Sequence, residues 1–459
     1  MAAGKGTRMK SKLPKVLHSL AGRALVHHVL GTATALGARS AVLVIGHGAG
    51  AVQAACAPEG GEKPGIALRF VHQEPQLGTG HAVQQAAPYL PDDGIVVVLS
   101  GDVPLTAVQT LHRLIALCGG TRLALLTLEL PDPSGYGRIV RGGHGEDADV
   151  QRIVEQKDAS AEQLAIKEIY SGIMAVPARA LKGWLERLDN KNAQKEYYLT
   201  DIVKFAVGDG VAVVAHKISD PVQVAGVNSP LQLAELERVY QRGLAAQLME
   251  QGVRISDPAR FDVRGKLSCG QDVAIDVNCV FEGSVTLGDD VRIGANCVIA
   301  NATIGAGAVI HPFTHIDGEK TGVTVGAGAL VGPFARLRPG AVLGAEVHIG
   351  NFVEVKNSTL AKGAKANHLA YLGDASVGER VNYGAGSITA NYDGAYKHQT
   401  VIEADVHIGS NCVLIAPVTI GAGGTVGGGS TITKDTPPGA LSVARGRQAT
   451  IPGWKRPAK

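Results

Sequence analysis

The chain has 459 residues, more than one compact core accommodates, and ordinary domain sizes point to two to four domains. Its 44 basic and 41 acidic residues leave a net charge of +3, which argues against nucleic acid or an acidic membrane as a partner. A hydrophobic content of 45% excludes an extended disordered chain, and no apolar run approaches the length of a membrane-spanning helix.

The opening Met1-Ala-Ala-Gly-Lys-Gly lacks the apolar core of a secretory signal. Ala2-Ala-Gly-Lys-Gly-Thr-Arg-Met and Leu13-Pro-Lys15 then place two glycines and several basic residues close together. Backbone N–H groups of such a loop can wrap phosphate oxygens while Arg8 and Lys15 counter their charge. A surface turn would have the same composition. Ala41–Ile45 and Ile95–Leu99 are short β-branched runs closed by glycine, which predicts strands buried on both faces of a parallel sheet. Gly80–Ala87 between them predicts a crossover helix, and the alternation predicts an α/β, Rossmann-like domain. Ser100-Gly-Asp102 follows the second strand. A carboxylate there suits a hard cation, and would equally cap a turn.

Ser229 is a good N-cap, Pro230 suits the first helical position, and Gly252 can close the helix. The expected division is a nucleotide domain over 1–228, a helical linker over 229–252, and a third segment over 253–459. In that last segment the period changes to six. Ile402, Ile408, Leu414, Ile420, Val426 and Ile432 recur without a break, and Leu287, Ile293 and Ile299 repeat the spacing. So do Ile304, Ile310 and Ile316, then Val325, Val331, Leu337 and Leu343. This predicts a β-helix with three sides per coil and one inward aliphatic residue per side. The six cysteines form no C-x-x-C pair and read as reduced thiols of a cytoplasmic protein.

The amino-terminal motif resembles that of the sugar-nucleotide pyrophosphorylase family, L-A-A-G-x-G-T-R-M followed by L-P-K. Gln73, with Gln76-Leu-Gly-Thr-Gly80, resembles its nucleobase loop. By that resemblance Ala2, Ala3, Gly4, Arg8, Lys15, Gln73, Gly78 and Thr79 bind UTP. Gly137, Glu155 and Asn228 contact the sugar nucleotide, and Asp102 and Asn228 hold Mg²⁺. Three positions depart from the pattern. Met1 stands where the family's first strand ends, which implies that this strand is missing from a late or shortened start. Tyr170 replaces an asparagine that often contacts the sugar, and Ser100 replaces a tyrosine.

The hexads resemble the hexapeptide acyltransferases, whose β-helix is left-handed. The segments Arg336-Leu-Arg338-Pro, Asn351–Lys356, Asn367–Asp374 and Asn391–Gly394 interrupt them with polar groups. These resemble the acetyltransferase half of the bacterial bifunctional family that makes UDP-N-acetylglucosamine. The resemblance implies that Arg338 and Lys356 hold a sugar phosphate, that Tyr371, Asn382 and Asn391 orient the sugar, and that His368 is the general base. Ala385, Asn391, Tyr392, Ser410, Gly428 and Arg445 correspond to acetyl-CoA contacts. It further implies glucosamine 1-phosphate and UTP as substrates, and a homotrimer with acetyl-transfer sites between neighbouring β-helices. The competing readings are a single-activity pyrophosphorylase with an assembly β-helix, against which His368, Lys356 and Arg338 count, and a regulatory subunit, against which Arg8, Lys15 and Asp102 count.

Overall fold

The computed structural model describes residues 1–57, 65–143 and 149–457, which form two compact units, Met1–Arg238 and Val239–Lys459. In the first unit the expected strands lie at Ser40–Ile45 and Ile95–Val98, with the helix Thr79–Ala86 between them. Ser40–Ile45 pairs in parallel with Ala67–His72 as a two-stranded sheet. A six-stranded sheet carries Val213–Ile218, Leu123–Glu129, Glu168–Pro177, Arg138–Arg141 and Val150–Val154 in that order, with Ile95–Val98 also against Glu168–Pro177.

Val213–Ile218 is parallel to Leu123–Glu129, whereas Glu168–Pro177 is antiparallel to both Leu123–Glu129 and Ile95–Val98. The sheet is therefore mixed. Glu168–Pro177 is buried along nearly its whole length, as a strand covered on both faces must be. On one face Leu111, Leu114 and Cys118 of the helix Val108–Cys118 pack with Leu126, Ile169 and Ile173. On the other, Leu181, Trp184 and Leu185 of Ala178–Glu186 pack with Leu123, Leu125 and Met174. Helices on both faces of a sheet with an apolar centre make the Rossmann-like α/β fold.

One expectation needs correction. Ile95, Val96 and Val97 are half-buried rather than enclosed on both faces. Among the described residues their strand has a neighbouring strand along one edge, Glu168–Pro177, and the other edge is met by Met1. The Met1 amine donates to Leu99 O (2.7 Å), Gly101 N donates to Met1 O (2.8 Å), and Ala2 N donates to Val44 O (2.7 Å). Met1 and Ala2 thus bridge the two sheets, and Ala2 pairs in parallel with Ile45.

The helix Pro230–Glu250 begins where the sequence places it, with Gln232 N donating to Ser229 Oγ (3.3 Å). It ends where Gly252 adopts φ 95° and Val253 N donates back to Leu248 O. The boundary between the two units falls within this helix. In the second unit the buried Gln241 clamps the backbone of Val263, accepting from its N–H (2.8 Å) and donating to its carbonyl (2.9 Å).

From Arg254 onward the second unit is a β-helix. An eleven-stranded parallel ladder runs from Arg254–Ile255 to Leu441–Ser442, and a sixteen-stranded sheet supplies the other sides. Ile402 pairs in register with Ile420, Ile408 with Val426 and Leu414 with Ile432. Three consecutive hexads therefore make one coil, and the fourth lands on the first. Every aliphatic residue of the sixfold series lies in the buried core. Full burial of each such side chain contributes roughly 1.5–3 kcal/mol, which is how so aromatic-poor a chain is held together. All six cysteines are free. Burial pushes the thiols of Cys56, Cys269 and Cys279 up to about 11.

Candidate active sites

In the first unit the candidate residues gather where strands end. Ser40–Ile45, Ala67–His72 and Ile95–Val98 lead respectively to His47, to Gln73 and to Asp102. Ligands of open α/β sheets sit at these carboxyl ends. The glycine-rich stretch leaves the strand edge at Ala3, whose carbonyl accepts from His47 N (3.3 Å), and closes through a 3₁₀ turn at Thr7–Met9. Gly4 and Arg8 are exposed.

Lys15, Asp102 and Asn228 converge from three distant parts of the sequence. Lys15 Nζ is 2.5 Å from Asp102 Oδ2 and 3.1 Å from Asn228 Oδ1. Both partners are oxygen atoms turned toward one positive charge. A carboxylate and an amide oxygen so placed suit Mg²⁺, with water and phosphate oxygens completing the shell. The Asp102 turn is fixed on both sides, since Val227 N donates to Asp102 O (2.9 Å) and Gly101 N to Met1 O.

The loop after Ala67–His72 is held against a segment that the sequence reading missed. Buried Gln73 donates to Gly78 O (2.9 Å), Gly80 N donates to Tyr197 O (2.8 Å), and Leu199 N donates to Thr79 Oγ1 (3.1 Å). Gly78 has φ 104°, and a Cβ there would lie 2.7 Å from Tyr197 O. Only glycine permits this approach. Next to Leu199, Thr200 donates to Glu155 Oε1 (2.9 Å), and burial raises the Glu155 pKa above the ordinary carboxylate value. Gly137 adjoins Glu155, and its carbonyl accepts from Tyr170 N (2.9 Å). The Tyr170 hydroxyl is buried and has no hydrogen-bond partner among the described residues. Gly78, Thr79 and Glu155 thus meet the Tyr197–Thr200 segment, Gln73 is tied to Gly78, and Gly137 and Tyr170 lie by Glu155, whereas no contact among the described residues brings Arg8 to them.

The polar interruptions of the β-helix also meet. Arg338 Nη1 donates to Glu354 Oε1 (2.8 Å), which raises the Arg338 pKa. The pairing of Leu337 with Val355 places Arg338 beside Lys356 one coil on, and Lys356 lies opposite Gly373. Tyr371 passes over Gly373, where a Cβ would sit 2.3 Å from the phenol oxygen. A third cation, Lys397, was not anticipated. Its ammonium lies beside that of Lys356 and, with desolvation and the nearby Arg338, holds the Lys356 pKa below its ordinary value.

Lys397 arrives on a tight hairpin that begins at Asn391. Asp393 accepts from Ala395 N (2.8 Å), Tyr396 N (2.7 Å) and His398 Nε2 (2.7 Å), which holds its carboxyl far below the usual range. Tyr392, on the same hairpin, is exposed and donates to Gly394 O (2.6 Å). Asn391 and Asn357 both donate to the Asp374 carboxylate, the acid that faces Lys356. Two acids, Glu354 on Arg338 and Asp374 facing Lys356, stand against the three clustered cations Arg338, Lys356 and Lys397, and the excess of positive charge suits an anion.

His368 lies on the eleven-stranded ladder, exposed, with Nδ1 3.2 Å from Asn351 Oδ1. A proton on Nδ1 donated to that oxygen leaves the Nε2 lone pair free to act as a base. Asn382 is on the neighbouring coil of the same ladder. Along the adjoining corner, Gly386 N donates to His368 O, Asn411 N to Ala385 O and Gly429 N to Ser410 O. His368, Ala385 and Ser410 therefore stack coil on coil. Gly428 continues the column, and its carbonyl accepts from Arg445 Nη1 (2.6 Å).

Residues 1–133 match the MobA-like NTP transferase domain, and residues 268–301, 322–357 and 399–434 match the bacterial transferase hexapeptide repeat. The chain is 76% identical over 459 residues to the bifunctional protein GlmU of Polaromonas naphthalenivorans, covering all of this chain and 97% of that protein. It is 73% identical over 467 residues to the bifunctional protein GlmU of an Acidovorax species, with 100% and 98% covered. Among solved structures, a UDP-glucose pyrophosphorylase from Acinetobacter baumanii aligns with 55% of this chain and 96% of its own, at TM-score 0.43 and 20% identity. With these full-length relatives, the chain belongs to the family of bifunctional GlmU proteins, each a nucleotidyltransferase joined to a hexapeptide-repeat acetyltransferase.

Proposed function

We propose that the chain makes UDP-N-acetylglucosamine in two steps. The β-helix unit transfers acetyl from acetyl-CoA to the amine of glucosamine 1-phosphate. The first unit then joins the product to UMP from UTP, releasing pyrophosphate. The observation that carries this reading is the cluster of Arg338, Lys356 and Lys397 with Tyr371, near the corner that carries His368 and Asn351. A β-helix serving assembly alone has no use for three crowded cations and an oriented histidine.

In acetyl transfer, the cations hold the sugar phosphate and Tyr371, Asn382 and Asn391 orient the ring. His368 Nε2 takes the proton from the amine as it attacks the thioester. The column Ala385, Ser410, Gly428, with Tyr392 and Arg445, receives acetyl-CoA. In uridylyl transfer, a phosphate oxygen of the acetylated sugar displaces pyrophosphate at the α-phosphorus of UTP, so no protein nucleophile is needed. Asp102 and Asn228 would hold Mg²⁺, which neutralises phosphate charge and aligns the reacting groups. With those oxygens so engaged, Lys15 is free to meet phosphate together with Arg8. Glu155 and Gly137 contact the sugar, and Gln73, Gly78 and Thr79 contact the base.

We assign uridylyl transfer to 1–228 and acetyl transfer to 253–459, with a homotrimeric, left-handed β-helix in the cytoplasm. No helix among the described residues is long and apolar enough to cross a membrane.

The test assays the full chain for thiol release from acetyl-CoA with glucosamine 1-phosphate, and for pyrophosphate release from UTP with the acetylated sugar phosphate. Pyrophosphate release without thiol release would favour the single-activity reading. A narrower test concerns Lys397. Lys397→Ala is expected to raise KM for glucosamine 1-phosphate roughly tenfold, the loss of one charge-assisted contact, with less change in kcat. Steady-state kinetics check this, and an unchanged KM would leave Lys397 as a hairpin residue.

A further inference from the structure

The coil that carries the hairpin is longer than the one after it. Val377 pairs with Ile402 across 25 residues, whereas Ile402 pairs with Ile420 across 18. Seven extra residues therefore leave the coil, and the hairpin Asn391–His398 takes them up. Its base is fixed, since Asn391 donates to the Asp374 carboxylate and Thr400 N donates to Asp374 O (3.1 Å). Its tip stands outside the core, with Tyr392 62% and Tyr396 72% exposed. Burial does not hold such a loop in one shape, so its own hydrogen bonds must.

Those bonds converge on Asp393. Its Oδ1 accepts from Ala395 N and Tyr396 N, its Oδ2 accepts from His398 Nε2 (2.7 Å), and its N–H donates to Tyr396 O (3.2 Å). One carboxylate thus ties the turn to the returning strand. Across the hairpin Tyr392 pairs with Lys397, and His398 N donates to Asn391 O (2.8 Å). Lys397 is delivered in this way beside Lys356, with Arg338 nearby. Like charges at such range repel, so Lys397 is pushed outward until an anion arrives.

We infer that Asp393 and His398 are positioning residues for acetyl transfer, forming a clasp that holds Lys397 at the phosphate site against the repulsion of the other cations. The inference rests on the acetyl-transfer reading of the β-helix unit. Neither residue has to touch substrate. The Asp393–His398 pair is partly exposed, with side chains 47% and 34% accessible, and pairs of that kind contribute little to global stability. The clasp acts instead on the fraction of hairpins that is closed. A ligand that binds only the closed form has its apparent Kd raised by the inverse of that fraction.

The experiment is a double-mutant cycle between Asp393→Ala and Lys397→Ala in the full chain. It is read as the Kd of glucosamine 1-phosphate by calorimetry, beside kcat for thiol release and melting of the second unit. Asp393→Ala should raise Kd roughly tenfold, the loss expected of Lys397→Ala itself, with less change in kcat. Added to Lys397→Ala, it should change Kd by less than about twofold, because its effect runs through the missing lysine. His398→Ala should raise Kd by a smaller factor, and His398→Gln, which keeps a donor for Asp393, should recover most of that loss. The unsubstituted chain is assayed for thiol release, whose absence would sink the acetyl-transfer reading while the cycle on binding still decided the clasp. Additive losses in the double variant, an unchanged Kd in either single variant, or a loss of binding that tracks a lower melting transition would overturn the proposal.

Discussion

Replacing His368 by alanine is expected to reduce acetyl transfer by about 10²–10⁴-fold and to leave uridylyl transfer at its original rate. The magnitude is that of a lost general base, since the amine must shed a proton as it attacks the thioester. The selectivity follows from the fold. His368 belongs to a ladder whose core is made of its own coils, whereas the nucleotide chemistry belongs to Met1–Arg238. As an exposed residue, His368 can be removed without opening a cavity, so the melting of the second unit should not change. Equal losses in both half-reactions would show that the histidine acts through folding or assembly. Asn351→Asp supplies a second readout. A carboxylate facing Nδ1 favours the charged imidazolium, so the acidic limb of the pH–rate profile should move to higher pH. A profile that stayed in place would remove Asn351 as the orienting partner.

The β-helix was legible in the sequence because its signal is periodic and redundant. Each coil repeats the same burial demand three times, so the slip between Ile299 and Ile304 does not hide the pattern. The first unit was legible where a strand ends in a glycine-rich turn, as at Ile45 and Leu99. The antiparallel Glu168–Pro177 was not, because its apolar run has no periodicity that gives direction and its partners lie from 31 residues (Arg138 to Ile169) to 82 residues (Ile95 to Pro177) away. Lys397 was missed for a different reason. A lysine in an exposed hairpin carries no sign of purpose until the fold sets it against Lys356. The Tyr197–Thr200 segment could have been suspected, since Tyr197-Tyr-Leu-Thr-Asp201 departs from any helical period. What it touches depends on contacts with Thr79 and Glu155 that spacing does not encode.

Asp102→Asn is expected to lower uridylyl transfer by roughly 10²–10³-fold, the scale on which removing one preorganised charge-stabilising group acts, and to leave acetyl transfer unchanged. Asparagine keeps the shape and an oxygen for Lys15 Nζ, so the loss would report charge rather than a collapsed turn. The turn itself is held by backbone bonds to Met1 and Val227, which the substitution does not touch. In the resting chain the partly buried Lys15 ammonium lies between Asp102 and Asn228. A divalent cation must displace it, and a neutral amide at 102 competes less well for Mg²⁺ than for a lysine. The apparent affinity for Mg²⁺ should therefore fall along with the rate, and added Mg²⁺ should restore part of the activity. Titrating Mg²⁺ at saturating UTP, beside a melt of the first unit, separates this from instability. Full activity with unaltered Mg²⁺ dependence would leave Asp102 as a residue that merely anchors Lys15, and the metal would have to be held elsewhere.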